Sequence, residues 1–339
     1  MKMNLPWIES PFFEQIIASK NLSKDVENIA REYHTKGFAV IKNAYTEAEI
    51  EQVKQEMDNK GFNPDFPYVH QRDERRCQDL WDYSEPVRQF SCKENIISIL
   101  ETLYDRETIP FQTLNFKFGS QQRAHSDTIH FSSLPARFMC GVWVALEDIN
   151  EENGPLFYYP GSHKTKEFNF NDFRDDLLDN SYDNYIQYED FMEEFLKVSH
   201  FQREIFKAQK GDALIWSSNI VHGGMPVLKQ GSTRYSQVTH YFFKDCIYYQ
   251  PMGSNTITGE LAIRLNLKNL RTKKAEKFTY NGYETKLIRS YRRLYLINHH
   301  IFYPSIFRFF TDIIFILKNH GISKLWGLVS NKLGIKKKV

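Results

Sequence analysis

The sequence predicts a mainly β fold, a sandwich or barrel with flanking helices. Three observations carry that expectation. Aromatic residues make up 15% of the chain, with 27 Phe and 19 Tyr, side chains suited to pleated, half-buried surfaces. From residue 111 to about residue 246 the apolar pattern changes from the helical period to a period of two. Turn signals such as Asn153-Gly154 and Pro160-Gly161 separate short aromatic and β-branched runs there.

Taken in order, residues 23–57 read as helix, short strand, helix. Ser23 is placed to cap the first helix and Gly37 to end it; "FAVI" is a buried strand. Thr46 opens the second helix with Glu49 three residues on, a capping-box pattern. "NIISILETLY" (95–104) is an apolar-faced helix. The β region follows as "FQTLNFKFG", "RFMCGVWVAL", "PLFYYP", "DALIWSS" and "TRYSQVTHYFF". Many short strands with no helices between them fit a closed or double-sheet architecture. Residues 167–204, acidic, aromatic and partly helical in pattern, interrupt it as a lid-like insertion.

Composition sets the frame. A chain of 339 residues with 41% hydrophobic and 25% charged residues has ample material for a buried core. Cys77, Cys92, Cys140 and Cys246 are widely spaced, without disulfide-framework or zinc-knuckle spacing, so a reducing cytoplasm is expected. "MKMNLPWIESPFFEQ" lacks the pattern of a signal peptide. A net charge of +2 gives no reason to expect a nucleic-acid partner. It hides an asymmetry: from Lys286 onward there are eleven Lys or Arg against one acid, Asp312.

The chemistry centres on "AHSDTIHF", residues 124–131. With 11 histidines and 42 acidic residues, about one His-x-Asp/Glu pair is expected by chance, so the pair needs context. In an extended segment His125 and Asp127 share a face and can point at one ion. His222, in "ALIWSSNIVHGGMPV", follows a buried-strand pattern and is the candidate third ligand. Two histidines and one carboxylate hold iron(II) with positions left open. Arg234 and Ser236, again two apart, suit a bidentate grip on a carboxylate with a supporting hydroxyl. Asn115 and Lys117, on the strand before the His-x-Asp turn, are candidate cosubstrate contacts. His240 shares a face with Arg234, but six strand residues put it about 20 Å further along. It is therefore read as structural; Trp143 reads as core and His130 as a pocket residue at most, while His163 sits in the turn "PGSHK" and is read as structural there. The run "QRDERR" (71–76) reads as a solvated segment able to hold an acidic substrate.

These words together resemble the phytanoyl-CoA dioxygenase family of iron(II)/2-oxoglutarate oxygenases. The matching stretches are "EYHTKGFAVIKNAYTEAEI", "HSDTIHF", "GVWVALEDINEENGPLFYYPGSHK" and "GDALIWSSNIVHGGMP", followed by Arg234, over roughly residues 25–246. The resemblance implies a double-stranded β-helix (a cupin-like jelly roll), with iron(II), 2-oxoglutarate and O2 as cofactor and cosubstrates. It makes His125, Asp127 and His222 both the catalytic centre and the iron ligands, and Arg234 the partner of the far carboxylate of 2-oxoglutarate. Asp127 stands where related halogenases have a small residue, which points to hydroxylation. Gly224 lacks the hydroxyl that some relatives place near the cosubstrate.

The expected organisation is an N-terminal wrap (1–110), a catalytic core (111–250) and a basic helical C-terminal extension (251–339). Residues 286–339 combine Ile, Phe and Leu with scattered cations. They fall short of the roughly 20 clean apolar residues of a membrane span but suit an anionic membrane surface. The expected substrate is a small or a lipid- or carrier-linked metabolite, an acyl thioester or a glycan. The competing expectation is a catalytically silent jelly roll recruited to membranes or partners by its tail.

Overall fold

The computed structural model describes residues 4–173, 182–255, 260–280, 282–284, 286–290, 293–297 and 317. The chain divides into two compact units, residues 1–282 and 283–339. The second contains an antiparallel hairpin of Lys286–Ser290 with Arg293–Ile297.

The N-terminal signals behave as read. α1 (Phe13–Ser19) precedes α2 (Lys24–Lys36), whose Ser23 cap accepts a hydrogen bond from the Val26 amide. Gly37 closes α2 at φ 86°, a left-handed turn that glycine adopts without strain. β1 (Phe38–Ile41) follows, then α3 (Glu47–Glu56), where Thr46 and Glu49 form the reciprocal capping box. β2 (Arg76–Gln78), α4 (Glu85–Ser91) and α5 (Glu94–Tyr104) lead into β3 (Thr108–Phe116).

The β region continues through β4 (Ser132–Leu134), β5 (Met139–Ala145) and β6 (Leu156–Tyr158). α6 (Tyr182–Val198) occupies the insertion. β7 (Glu204–Phe206), β8 (Ala213–Ser217), β9 (His222–Gly224), β10 (Ser236–Phe243), β11 (Ile247–Asn255) and β12 (Glu260–Ile263) complete it. Strands order β1-β8-β5-β10-β3-β2 in the major sheet, β7-β6-β9 in a minor sheet and β12-β11-β4 in a third. Major-sheet residues (Phe116, Trp143, Leu214, Val238) and minor-sheet residues (Leu156, Tyr158, Phe206) share one buried cluster, so the two sheets face each other as in a jelly roll.

Alternation along β10 divides its side chains between two environments. Gln237, Thr239 and Tyr241 face the helices: the Gln237 amide and the Thr239 hydroxyl meet Ser91 Oγ, and the Tyr241 hydroxyl donates to the Ser91 carbonyl at 2.8 Å. Val238 and His240 face a cavity of about 630 Å³ inside the roll.

The expected helical extension is corrected over its described part. Residues 251–255 and 260–263 continue β11 and form β12, pairing in antiparallel register with Tyr249 opposite Ile263. "GELAI" carries the alternation of an edge strand, and an open sheet edge rewards that pattern with main-chain hydrogen bonds that a helix would not share with the core. The tail beyond residue 297 lies outside the described residues except Leu317. No helix among the described residues is long and apolar enough to cross a membrane.

Candidate active site

His125 and His222 sit opposite each other in an isolated antiparallel bridge. The His125 amide donates to the His222 carbonyl at 3.0 Å, and the His222 amide donates back at 2.9 Å. Backbone pairing therefore fixes the two imidazoles side by side, with centroids 4.5 Å apart. Two glycines let β9 come this close: a Cβ on Gly223 would strike the Phe157 ring, and one on Gly224 would strike the Ser120 hydroxyl. Ser120 thus fills the space that a side chain at 224 would take.

Each imidazole is held by its Nδ1, His125 against the Arg123 carbonyl (2.9 Å) and His222 against the Ile220 carbonyl (3.1 Å). That contact sets the tautomer and leaves both Nε2 atoms free. Asp127 opens a short 3-10 turn and brings Oδ1 to 3.9 Å from His125 Nε2 and 3.8 Å from His222 Nε2. Ligand atoms of the three residues all lie within 4.8 Å of one another. Its other oxygen, Oδ2, accepts a 2.7 Å hydrogen bond from the Trp216 indole.

The electrostatics fit a metal. Burial pushes the His125 imidazole down to about 3, with His222 adding to the shift, so it stays neutral and able to donate a lone pair at neutral pH. Burial alone would raise the Asp127 carboxyl; the facing histidines and the Trp216 N–H outweigh it and hold it below its ordinary value. The neutral His125 imidazole and the His222 Nε2, both facing a buried carboxylate, are a donor set that suits iron(II). Substituting Trp216 with phenylalanine keeps an aromatic ring at this buried position, though a smaller one, and removes the N–H. The expected result is a 10–100-fold weaker iron affinity, the usual cost of losing such a partner, read by metal titration; unchanged affinity rejects the orienting role.

Arg234 lies at one end of the same cavity, only 1% exposed. Its guanidinium carbon stacks 5.3 Å from the Phe116 ring and 5.8 Å from that of Trp143. Nε and Nη1 have no hydrogen-bond partner among the described residues. Burial lowers this group to about 10, opposed only by Glu147; it remains a cation at neutral pH.

Not every predicted contact reaches the cavity. Asn115 points to the helical face, its amide donating to Gln237 Oε1 at 2.9 Å. Lys117 pairs with Asp58 at 2.8 Å on the outside. Asn115 is odd-numbered on β3, whose even members Gln112, Leu114 and Phe116 face inward, and Lys117 lies just past the strand's end. Ser236 is buried with its hydroxyl 3.5 Å from the Arg234 carbonyl and is absent from the cavity wall. His240 is the converse correction. Its Nε2 lies 3.7 Å from Asp127 Oδ2, because the cavity runs along the inner face of β10 from Arg234 to His240. His163 is placed as read, its Nε2 at the His34 carbonyl of α2. Trp143 is core and cavity wall together.

Sequence reasoning also gave little weight to the mouth. Gln71, Asp73, Arg75 and Arg76 of the "QRDERR" run line it, as does Arg264 from beyond β12. From the insertion, Tyr185 and Glu189 of α6 join the wall, while the Tyr188 hydroxyl accepts a hydrogen bond from the Ser126 amide.

Fold and site together define a class: a double-stranded β-helix with a two-histidine, one-carboxylate donor set and a buried cation in the same cavity. The family described as Phytanoyl-CoA dioxygenase (PhyH) matches residues 33–234, and the chain belongs to it. A Caenorhabditis elegans protein described as probable phytanoyl-CoA dioxygenase is 42% identical over 50 residues, covering 15% of this chain and 16% of its own. The Danio rerio phytanoyl-CoA dioxygenase domain-containing protein 1 is 44% identical over 45 residues, covering 13% and 16%. These alignments thus span 16% of the length of each curated relative. Among solved structures, the non-heme alpha ketoglutarate dependent carbocyclase SnoK from nogalamycin biosynthesis is similar at TM-score 0.54 and 17% identity, covering 70% of this chain and 91% of that one. EctD from S. alaskensis, with 2-oxoglutarate and 5-hydroxyectoine, is similar at TM-score 0.53 and 15% identity, covering 68% and 80%. At these identities the likeness is one of fold.

Proposed function

We propose that this protein is an iron(II)- and 2-oxoglutarate-dependent dioxygenase that hydroxylates a small polar metabolite, free or carried on a glycan or thioester, and releases succinate and CO2. The observation that carries the reading is the pairing of the His125–Asp127–His222 donor set with the unpartnered guanidinium of Arg234 in one cavity. His125 Nε2, His222 Nε2 and an Asp127 oxygen would hold the ion, and Arg234 would pair with the far carboxylate of 2-oxoglutarate. Bound there, iron(II) and its cosubstrate supply oxygen activation coupled to decarboxylation. The chain's own residues do the rest. The Nδ1 tethers and the Trp216 N–H hold the ligands in place before the ion arrives, and the Phe116 and Trp143 rings keep water from the guanidinium. Amides at the wall, among them Gln112 and Gln250, favour a substrate rich in hydroxyl or carbonyl groups over a bare acyl chain.

The test is anaerobic addition of iron(II) and 2-oxoglutarate to the purified protein. The expected result is a weak visible charge-transfer band that needs both additions, with slow succinate release on admitting oxygen. Absence of the band and of succinate would favour the silent jelly roll.

For the tail, the reading is peripheral contact with an anionic membrane at the cytoplasmic face. It rests on sequence, eleven cations against one acid from Lys286 onward. Reversing Lys336, Lys337 and Lys338 to glutamate is expected to abolish cosedimentation with phosphatidylserine vesicles. Equal sedimentation of both forms rejects the contact.

A further inference from the structure

Among the described residues, five arginines line the cavity, and three of them are already answered by carboxylates. Arg123 engages Glu189, Asp190 and Glu193. Arg75 and Arg76 have Glu74 and Asp73 within 4.0 Å. That leaves Arg234, read above as the 2-oxoglutarate partner, and Arg264.

Arg264 is held in an unusual way. Its guanidinium carbon lies 5.3 Å from the Phe111 ring and 4.8 Å from the Phe131 ring, so aromatic faces rather than an acid fix its position. No carboxylate among the described residues pairs with it; burial lowers its pKa, and only the attraction of Asp79 opposes that. The other acids among the described cavity residues are committed elsewhere, Asp127 to the imidazoles and Glu189 to Arg123. Phe131 also touches the His240 ring, at 4.8 Å between centroids, and His240 lies beside Asp127. One phenylalanine ring therefore separates Arg264 from the residues around the donor set.

A half-buried guanidinium set over two aromatic rings, with no carboxylate of its own among the described residues, is a ready partner for an anion. We infer that Arg264 binds an oxyanion of the substrate, a carboxylate or a phosphate, and so sets which carbon lies over the metal. The inference rests on the dioxygenase reading for the metal and for the occupancy of Arg234. Arg264 is then a specificity-determining residue, and substrates without an anionic group are excluded. The planar fork suits two oxygens of either group.

The test uses the full chain, loaded anaerobically with iron(II) and saturating 2-oxoglutarate so that Arg234 is engaged. Inorganic phosphate and acetate are titrated separately by calorimetry. The expected result is one saturable equivalent of at least one of them, weakened at least about tenfold in Arg264→Gln. Preference between the two anions separates a phosphorylated substrate from a carboxylic acid. Equal affinity in Arg264→Gln, or no binding of either anion to the wild type, overturns the assignment. A second measurement needs no variant. With manganese(II) in place of iron, bound phosphate should show saturable paramagnetic relaxation of its phosphorus signal that excess 2-oxoglutarate does not displace; displacement means that phosphate sits at Arg234 and rejects the proposal. The charge-transfer band in the same samples reports separately on the dioxygenase reading. A missing band with intact, Arg264-dependent phosphate binding would sink that reading and leave the anion site standing.

Discussion

Replacing Asp127 with alanine is expected to abolish iron(II) binding in the cavity, and with it the visible band and succinate release. Asp127 is the one carboxylate in a cluster otherwise made of imidazoles, and both of its oxygens are engaged: Oδ1 faces His125 and His222 while Oδ2 accepts from Trp216. Loss of an outer partner already costs 10–100-fold in metal affinity, so loss of the anionic ligand itself should exceed about 100-fold. The alanine variant carries a second defect, because the Trp216 N–H is left buried without an acceptor at a cost of about 1–3 kcal/mol. Asp127→Asn separates the two effects. Its amide oxygen can still accept from Trp216, so thermal stability should stay near that of the wild type while the charge is gone. Metal content after equilibration with iron(II), measured beside the melting temperature, checks both. An asparagine variant that retains iron at wild-type affinity would show that the carboxylate is not a ligand.

What the sequence made legible follows from how local the signals are. Ser23, Gly37 and the Thr46/Glu49 pair act within one helical turn, and each appears where its chemistry demands. His125 and Asp127 were readable because two extended residues share a face; His222 was readable from the buried-strand run before it, although the two glycines after it continue β9 rather than forming a turn. Errors arose where the reading needed a strand's parity or the depth of the cavity. Asn115 is turned from the cavity by alternation, a parity that the inward Leu114 and Phe116 could have set, and Lys117, past the end of β3, is taken by Asp58. His240 was dismissed by measuring along β10 from Arg234, although the cavity follows that whole face. Arg264 was hidden in a stretch read as helical, and its aromatic neighbours lie some 130 and 150 residues earlier in the chain. No local pattern announces such a contact.

Arg234→Met is expected to raise the stability of the cosubstrate-free protein while removing its response to 2-oxoglutarate. The two effects have one cause. The guanidinium is 1% exposed, with Nε and Nη1 unpartnered, and burial already lowers its pKa to about 10. A buried cation without a counter-charge destabilises the fold, and apolar replacements of buried ionic groups are often neutral or stabilising by about 1–4 kcal/mol. Methionine is unbranched and able to fill the slot between Phe116 and Trp143. The price appears on binding: truncating one side of a buried, hydrogen-bonded charge pair costs about 2–5 kcal/mol, or roughly 30- to several-thousand-fold in affinity. Thermal melts with and without 2-oxoglutarate should therefore cross. The wild type melts lower when empty and gains with cosubstrate, whereas the variant melts higher when empty and gains nothing. Arg234→Lys keeps the charge but not the fork, so it should bind 2-oxoglutarate at intermediate strength. A methionine variant that is less stable when empty and still binds 2-oxoglutarate as tightly would mean that Arg234 is a structural cation and that another residue takes the far carboxylate.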